Sequence, residues 1–356
     1  MAVHVGLDIG TSAVRAAEVA VGKNPPVLLK FGQVGLPTGA VVDGDIRDPE
    51  AVSDAIRQLW RRVKFGKGKI TVGVANQRVF VRQVNLPFIE PEELKEALPF
   101  QVQDFIPIPI EDTILDYIPM EDYVAEDGAR MVSVVVVAGQ RDMLHTVVET
   151  LAKAGLTAKA IDLTPFALLR ALHAEPELLA ERSRPEAILD MGAGTTSIVV
   201  HEAGTPRFIR IIATGGNTFT DAIARRMGIP APEAEDMKMA LALPMPGRIA
   251  TPAPPGALES LDEVAQGYLD TIRDTISFFE NQPDGAPVSR IVVTGNGARL
   301  GNLAARLAQM TNVPVEAGHP LQLLRVGKVG LPAEQLVAAE PVLPAPVGLA
   351  LWGAAA

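Results

Sequence analysis

The sequence predicts an α/β fold built twice, with two core halves closing on a ligand cleft. Three observations lead there. The segment Leu7-Asp8-Ile9-Gly10-Thr11-Ser12 has a counterpart far downstream, Leu189-Asp190-Met191-Gly192-Ala193-Gly194-Thr195-Thr196. Each copy follows an apolar run, turns through glycine and hydroxyl residues, and enters a second apolar run, the pattern of a β-hairpin. After each hairpin, strand-like runs alternate with helical ones, as crossover connections over a sheet require. Finally, 356 residues exceed one typical core, so two are expected.

The elements follow in order. Residues 1–21 form the first hairpin, and a third strand follows near Val27-Leu28-Leu29-Lys30-Phe31. Asp48 offers a helix N-cap, with Pro49 at the first helical position. Val52, Ile56, Leu59, Trp60 and Val63 make that helix's apolar face, and Gly66 is expected to end it. The cations Arg57, Arg61, Arg62, Lys64, Lys67 and Lys69 read as a solvated face that complements the helix dipole. Strands are expected at 69–74 and 79–84. An acidic helix start, Glu90-Pro91-Glu92-Glu93, leads to Leu94, Leu98, Val102, Phe105 and Ile106 at helical spacing, with Pro99 expected to kink or break the helix. The proline-interrupted run Phe105-Ile106-Pro107-Ile108-Pro109-Ile110 reads as core packing in preference to an exposed groove. A buried strand at 131–138 precedes a helix at 141–154 closed by Gly155. A strand at 158–162 then leads to a helix at 165–173. Beyond the second hairpin, Gly215-Gly216 opens a helix at 218–227 that Gly228 caps, and another helix covers 234–241. The prolines of 244–256 mark a surface loop. A long helix at 259–281, a buried strand at 291–294, a helix at 300–310 and a final apolar segment at 347–351 complete the chain.

Composition narrows the functional classes. A net charge of −10 disfavours binding to nucleic acid or anionic membrane through bulk charge. Aromatic content of 4% disfavours base-stacking platforms. Without cysteine there is no disulfide framework, thiolate zinc site or iron–sulfur cluster. His4, His145, His173, His201 and His319 show no metal-ligand spacing. No apolar run is long enough to span a bilayer, and the first strand begins too early to leave room for a signal peptide, so the expectation is a cytoplasmic protein. Neither a Gly-x-Ser-x-Gly elbow nor a Walker-type phosphate loop occurs.

The paired hairpins carry the chemistry. Glycine lets the backbone approach a ligand, and neighbouring N–H groups can point at an anion. Threonine and serine hydroxyls add donors, and an aspartate at a strand end can hold hydrated Mg²⁺ through water. One such turn is ordinary hairpin chemistry. Two facing turns would grip a nucleotide's phosphates from both sides. Gly295-Asn296-Gly297 lies between a buried strand and a helix, where ligands of α/β sheets bind, although a plain βα turn has the same composition. Gly215-Gly216 suits either a phosphate or sugar contact or a tight turn. Glu235 and Lys238, three apart on a helix, read first as an ion pair and second as a ribose contact.

With these residues in place, the chain resembles the actin-like (ribonuclease H-like) ATPase superfamily of actin, Hsp70, sugar kinases and the division protein FtsA. Asp8-Ile9-Gly10-Thr11-Ser12 matches its first phosphate motif, and Asp190-Met191-Gly192-Ala193-Gly194-Thr195-Thr196 its second. Thr294-Gly295-Asn296-Gly297-Ala298 matches the adenosine motif. Within the superfamily the chain is most similar to the PilM family of type IV pilus assembly. Leu86-Pro87 with Glu92-Glu93-Leu94-Lys95-Glu96-Ala97 carries that likeness, as do Phe105-Ile106-Pro107-Ile108 with Asp116-Tyr117, Ile161-Asp162-Leu163-Thr164-Pro165-Phe166, and Gly215-Gly216-Asn217 with Ala234-Glu235-Asp236-Met237-Lys238.

The resemblance implies an FtsA-like arrangement. The first core half would comprise 1–75, 151–185 and 346–356, with a small subdomain at 76–150. The second half would comprise 186–214 and 286–345, with a small subdomain at 215–285. It also implies ATP with Mg²⁺ in the central cleft. Asp8 and Asp190 would hold the metal through water, and Gly10, Thr11, Ser12, Gly192, Gly194, Thr195, Thr196, Gly215 and Gly216 would surround the phosphates. Glu235 and Lys238 would face the ribose, and Gly295, Asn296 and Gly297 the adenosine. Hydrolysis is expected to be slow at most, with Asp162 the best residue to polarise water. The implied partner is the N-terminal cytoplasmic segment of a PilN-like inner-membrane protein, bound between the first core half and the 76–150 subdomain, with a pilus motor ATPase as a second partner. Nucleic acid and direct membrane insertion are not expected; the protein would sit at the inner face of the membrane through its partners. A sugar or carboxylate kinase and a filament-forming ATPase are the competing readings.

Overall fold

The computed structural model describes residues 2–22, 24–173, 184–245 and 252–352. In chain order the strands begin with β1 (Ala2–Ile9), β2 (Ala13–Val21), β3 (Val27–Gly35), β4 (Val41–Val42) and β5 (Asp45–Ile46). Then come β6 (Ile70–Val74), β7 (Val79–Pro87), β8 (Thr113–Val124), β9 (Arg130–Gln140) and β10 (Ala158–Leu163). The last group is β11 (Glu186–Met191), β12 (Thr196–Glu202), β13 (Thr205–Ile212), β14 (Arg290–Thr294), β15 (Val315–Ala317) and β16 (Arg325–Val326). The first five helices are α1 (Pro49–Val63), α2 (Pro91–Gln101), α3 (Arg141–Lys153), α4 (Thr164–Leu172) and α5 (Gly216–Met227). They are followed by α6 (Ala231–Ala240), α7 (Pro255–Glu280), α8 (Leu303–Thr311), α9 (Ala333–Ala338) and α10 (Pro344–Leu351).

The duplication is visible in the sheets. One has the order β10-β6-β1-β2-β3-β16, the other β15-β14-β11-β12-β13. In both, the opening hairpin and the next strand are antiparallel, and two crossover strands add in parallel on the far side of the hairpin. Helices α1 and α3 cover one face of the first sheet, through Ile56, Leu59 and Leu151. Helices α5 to α8 cover one face of the second, through Ile223, Leu261, Leu269 and Leu307. The remaining faces look toward each other with α4 and α10 between them. Leu168 and Leu169 of α4 and Ala345 of α10 pack on Ile188, Val199 and Val292 of the second sheet. Val347 and Ala350 of α10 pack on Ala17 and Val19 of the first. Gly348 lets α10 ride directly on the backbone of Ala167, where a Cβ would collide. A third sheet, β7-β9-β8, carries α2 on one face, built around Leu86, Leu94, Leu98, Val132, Val134 and Val136, and packs Val79 and Val135 of its other face into the first half's core.

Several sequence expectations shift at element ends. Helix α1 stops at Val63 because Lys64 takes the left-handed conformation (φ 58°) and its N–H reaches the Trp60 carbonyl; Gly66 does not close it. Asp48 caps as expected, accepting from the Ala51 N–H at 3.0 Å. Helix α2 runs through Pro99, which sits in its last turn, where the lost N–H removes a single hydrogen bond. The helix expected at 300–310 begins only at Leu303, after a short 3₁₀ turn. Strand β8 was hidden by Pro119, which a bulged edge strand tolerates. In the 105–110 run, Ile106 is core while Phe105 is exposed. Much of the proline-rich loop, 246–251, lies outside the described residues.

Candidate functional site

The two hairpin turns meet. Each closes the same way: the Gly10 N–H donates to the Ala13 carbonyl at 3.0 Å, and the Gly192 N–H to the Thr195 carbonyl at 2.9 Å. Asp8 lies opposite Arg15 across one hairpin, and Asp190 opposite Ser197 across the other. Between the hairpins, a Cβ on Gly194 would stand 2.6 Å from the Thr11 hydroxyl oxygen, so only glycine allows the turns to touch.

The small cavity at this junction, about 70 Å³, is lined by Asp8, Gly10, Thr11, Ser12, Asp190, Gly192, Thr195, Gly295 and Asn296. Nine expected residues thus converge from sequence positions between 8 and 296. Gly295 has φ 82°, and a Cβ there would stand 2.5 Å from the Asp190 carboxylate. Its N–H is held by the Pro341 carbonyl at 2.8 Å, which fixes the third turn against the second hairpin. Gly297 packs on the Met191 carbonyl and Gly215 on the Gly192 carbonyl. The first amides of α5, on Gly216 and Asn217, donate to the Gly192 and Ala193 carbonyls at 2.9 and 2.7 Å. These donors hold the second turn in shape rather than pointing into the cavity.

Three expectations land elsewhere. Thr196 is turned inward: its hydroxyl bridges the Thr214 carbonyl and the buried Tyr268 hydroxyl, both at 2.7 Å, and does not line the cavity. Burial raises the Tyr268 pKa above its ordinary value, which keeps it a neutral partner. Glu235 and Lys238 also lie off the cavity wall. Lys238, 9% exposed, donates to Glu235 (2.6 Å), the Thr220 hydroxyl (2.9 Å) and the Gly216 carbonyl (3.1 Å), an arrangement that ties α6 to the start of α5. Asp162 faces a different cavity, where Arg170 pairs with it. It therefore does not stand where it would polarise water at the hairpin turns. Burial raises its pKa, opposed by the Arg170 charge.

The structure adds residues that the motifs did not disclose. Arg15 reaches Asp8 at 3.3 Å, and its Nε is buried without a hydrogen-bond partner. Counting four turn residues across the hairpin would have put Arg15 and Ser197 on the aspartates' face. Thr164, at the start of α4, also lines the cavity with its hydroxyl buried and unpaired; it lies within the family-like stretch 161–166, but nothing in that stretch marks it as a cleft residue. Burial raises the pKa of both aspartates. Asp190 is pushed up to about 7, by burial and then by the neighbouring Asp8 charge, with Arg15 opposing. For Asp8 the upward push of burial is opposed by Arg15. Two half-buried carboxylates in each other's field, with one guanidinium beside Asp8, are a charge arrangement that a cation would relieve. Among the described residues no cluster of three or more metal-ligating side chains forms, so these two aspartates and water are what a cation would meet.

A second, larger cavity of about 600 Å³ lies between β8 and β10, each at the edge of its sheet. Its walls are mostly apolar: Ile114, Ile118, Leu144, Phe166, Leu169 and Trp352, with the Arg170–Asp162 pair at its polar end.

The sequence profile of the type IV pilus assembly protein PilM matches residues 6–354. Cell division protein FtsA of Bacillus subtilis (strain 168) is 27% identical over 261 residues, which cover 67% of this chain and 58% of FtsA; the match thus spans little more than half of that relative. Among solved structures, the PilM-PilN type IV pilus biogenesis complex superposes with a TM-score of 0.83 at 28% identity, over 99% of this chain and 98% of the other. MreB5 of Spiroplasma citri bound to ADP gives a TM-score of 0.50 at 17% identity, over 97% and 98%, which is a likeness of fold.

Proposed function

This chain belongs to the PilM family of type IV pilus assembly proteins, and from that footing we propose that it is an actin-like, ATP-binding scaffold that docks the N-terminal cytoplasmic segment of a PilN-like inner-membrane protein. One observation supports this reading above the others. Two helices run from the hairpin junction to the apolar groove. Helix α4 has Thr164 at the cleft and Phe166, Leu169 and Arg170 in the groove; α10 begins at the cleft with Pro344 and Ala345 and leads to Trp352 in the groove. A ligand that moves the start of these helices acts on the walls that a partner peptide would touch.

The residues suit a nucleotide with a divalent cation. Asp8 and Asp190 would hold the hydrated metal, whose charge relieves their mutual repulsion. Gly10, Thr11, Ser12, Gly194 and Thr195 would surround the phosphates, and Gly295-Asn296-Gly297 the adenosine. When bound, Mg²⁺ would draw charge from the phosphates. A cavity of about 70 Å³ is smaller than the 300 Å³ or so that a small-molecule site occupies, so binding parts the two turns. With Asp162 outside the junction and no other carboxylate than Asp8 and Asp190 on the described wall, hydrolysis is slow and a kinase reading lacks its base. We assign the β7-β9-β8 sheet with α2 as a small subdomain and α5 to α7 as part of its counterpart on the second half. The groove between β8 and β10 suits an extended, apolar peptide. Among the described residues no helix is long and apolar enough to cross a membrane, and the protein reaches the membrane's inner face through that partner.

Calorimetry tests the reading. Mg²⁺-ATP is expected to bind the native chain, and to bind Asp8→Ala and Thr195→Ala at least tenfold more weakly. A PilN-like N-terminal peptide is expected to bind, and to lose affinity with Ile118→Glu in the groove. If the peptide binds the Ile118→Glu variant as tightly as the native chain, the groove is not the docking site.

A further inference from the structure

We propose that a second groove, between β7 and β13, takes an extended acidic peptide segment as an added strand. This cavity of about 700 Å³ is separate from the hairpin junction and opens between two sheets. β7 is the edge of the three-stranded sheet and β13 the edge of the second core sheet. Successive residues of both strands, 79–83 and 206–211, line it. Side chains along a strand alternate between faces, so a cavity lined by consecutive residues follows the strand edges, where backbone groups point outward. Among the described residues, no backbone hydrogen bond joins either strand to another sheet or helix; the Val79 N–H alone turns back to the Asn76 carbonyl. The Gln77 side-chain amide reaches the Ile211 carbonyl at 3.4 Å, at one end. Unpaired edge groups in a concave channel are what strand addition uses.

Charge selects the occupant. The chain as a whole carries −10, yet Arg82, Arg207 and Arg210 line this groove against one carboxylate, Asp284. Arg207 leans on Glu202 at 3.6 Å; no ion pair forms on Arg82 or Arg210 among the described residues. Phe278, 55% exposed, supplies an apolar wall. A strand of alternating acidic and apolar residues fits: backbone to the edge, carboxylates to Arg82 and Arg210, apolar side chains to Phe278.

The test uses the full chain and a fluorescein-labelled dodecapeptide of alternating Glu and Val, read by anisotropy. Saturable binding is expected, with about tenfold or greater weakening for the double variant R82E/R210E, which turns two attractive charge contacts into repulsive ones. The Lys-for-Glu peptide is expected to prefer R82E/R210E over the native chain. A Glu-Val peptide N-methylated at alternate amides loses the donors of one edge and is expected not to bind the native chain, a comparison that does not depend on the variant's folding. No saturable binding of the Glu-Val peptide, equal binding to R82E/R210E, or undiminished binding of the N-methylated peptide would each overturn the proposal. This groove adjoins the apolar one between β8 and β10 at Val79 and Pro206, but Arg82 and Arg210 line only the first and Ile118 only the second, so the two peptides are assayed separately.

Discussion

Asp190 ends β11 deep in the junction, where burial and the Asp8 charge push its pKa up to about 7. An ordinary aspartate in the unfolded chain releases its proton near pH 4. Between those values the folded state therefore binds more protons than the unfolded one, and stability falls as pH rises through that window, then levels off above it. Asp8 shifts in the same direction. In metal-free buffer, Asp190→Asn is expected to melt higher than the native chain at pH 8 and close to it at pH 4. A variant that melts no higher at pH 8 would show that the carboxylate is not held in an unfavourable site. The neighbouring threonines separate in the same way. Thr196→Val removes the bridge to Thr214 and Tyr268 and leaves a buried hydroxyl unpaired, at a cost of about 1–3 kcal/mol, while nucleotide affinity stays within about threefold. Thr195→Ala is expected to do the reverse. Chemical denaturation and calorimetry on the two variants decide this.

At the scale of elements, local chemistry was readable and long-range contact was not. Both hairpins announce themselves because Asp, Gly and hydroxyl residues sit within a few positions of each other, and the caps of α1 and α5 depend on one or two residues. Strand β8 escaped because its alternation is broken by Pro119, a residue that only an edge position permits. Thr164 escaped because its place at the cleft depends on β10 lying two strands from β1. Asp162 was misplaced for the same reason: the strand that carries it ends level with the cleft, but its side chain meets Arg170 in the groove. The specific stretch around 86–117 was readable as a family signature, yet the structure gives its two ends different work. Its first part packs α2 onto the third sheet, and only its last residues reach the groove. Leu98, 2% exposed at the centre of that packing, is therefore a stability position. Leu98→Ala is expected to destabilise by about 2–5 kcal/mol in chemical denaturation, with peptide affinity unchanged once the protein is folded.

For the whole molecule, the consequence lies in α4 and α10. They cross at Gly348, pack between the two sheets, and carry residues of both the junction and the groove. Arg170 joins them: its Nε donates to the Gly348 carbonyl at 3.0 Å while its other arm pairs with Asp162. A nucleotide that parts the hairpin turns pushes on the first residues of both helices, and close-packed interiors pass such shifts on instead of absorbing them. ATP is accordingly expected to change the affinity for a PilN-like peptide by about 5- to 150-fold, the range of a 1–3 kcal/mol coupling. The peptide must change ATP affinity by the same factor. Replacing Arg170 alone would leave Asp162 buried without its partner, so the informative variant is Asp162→Asn with Arg170→Met. That pair removes the tie between the helices without stranding a charge. Each ligand is expected to bind this variant alone, with the coupling factor falling toward one. Calorimetric titration of peptide with and without Mg²⁺-ATP measures it, in native chain and variant. Coupling that survives undiminished in the variant would mean that the halves communicate by another route, through the sheets that flank these helices. Native coupling of one would mean that nucleotide and partner are held side by side without either sensing the other.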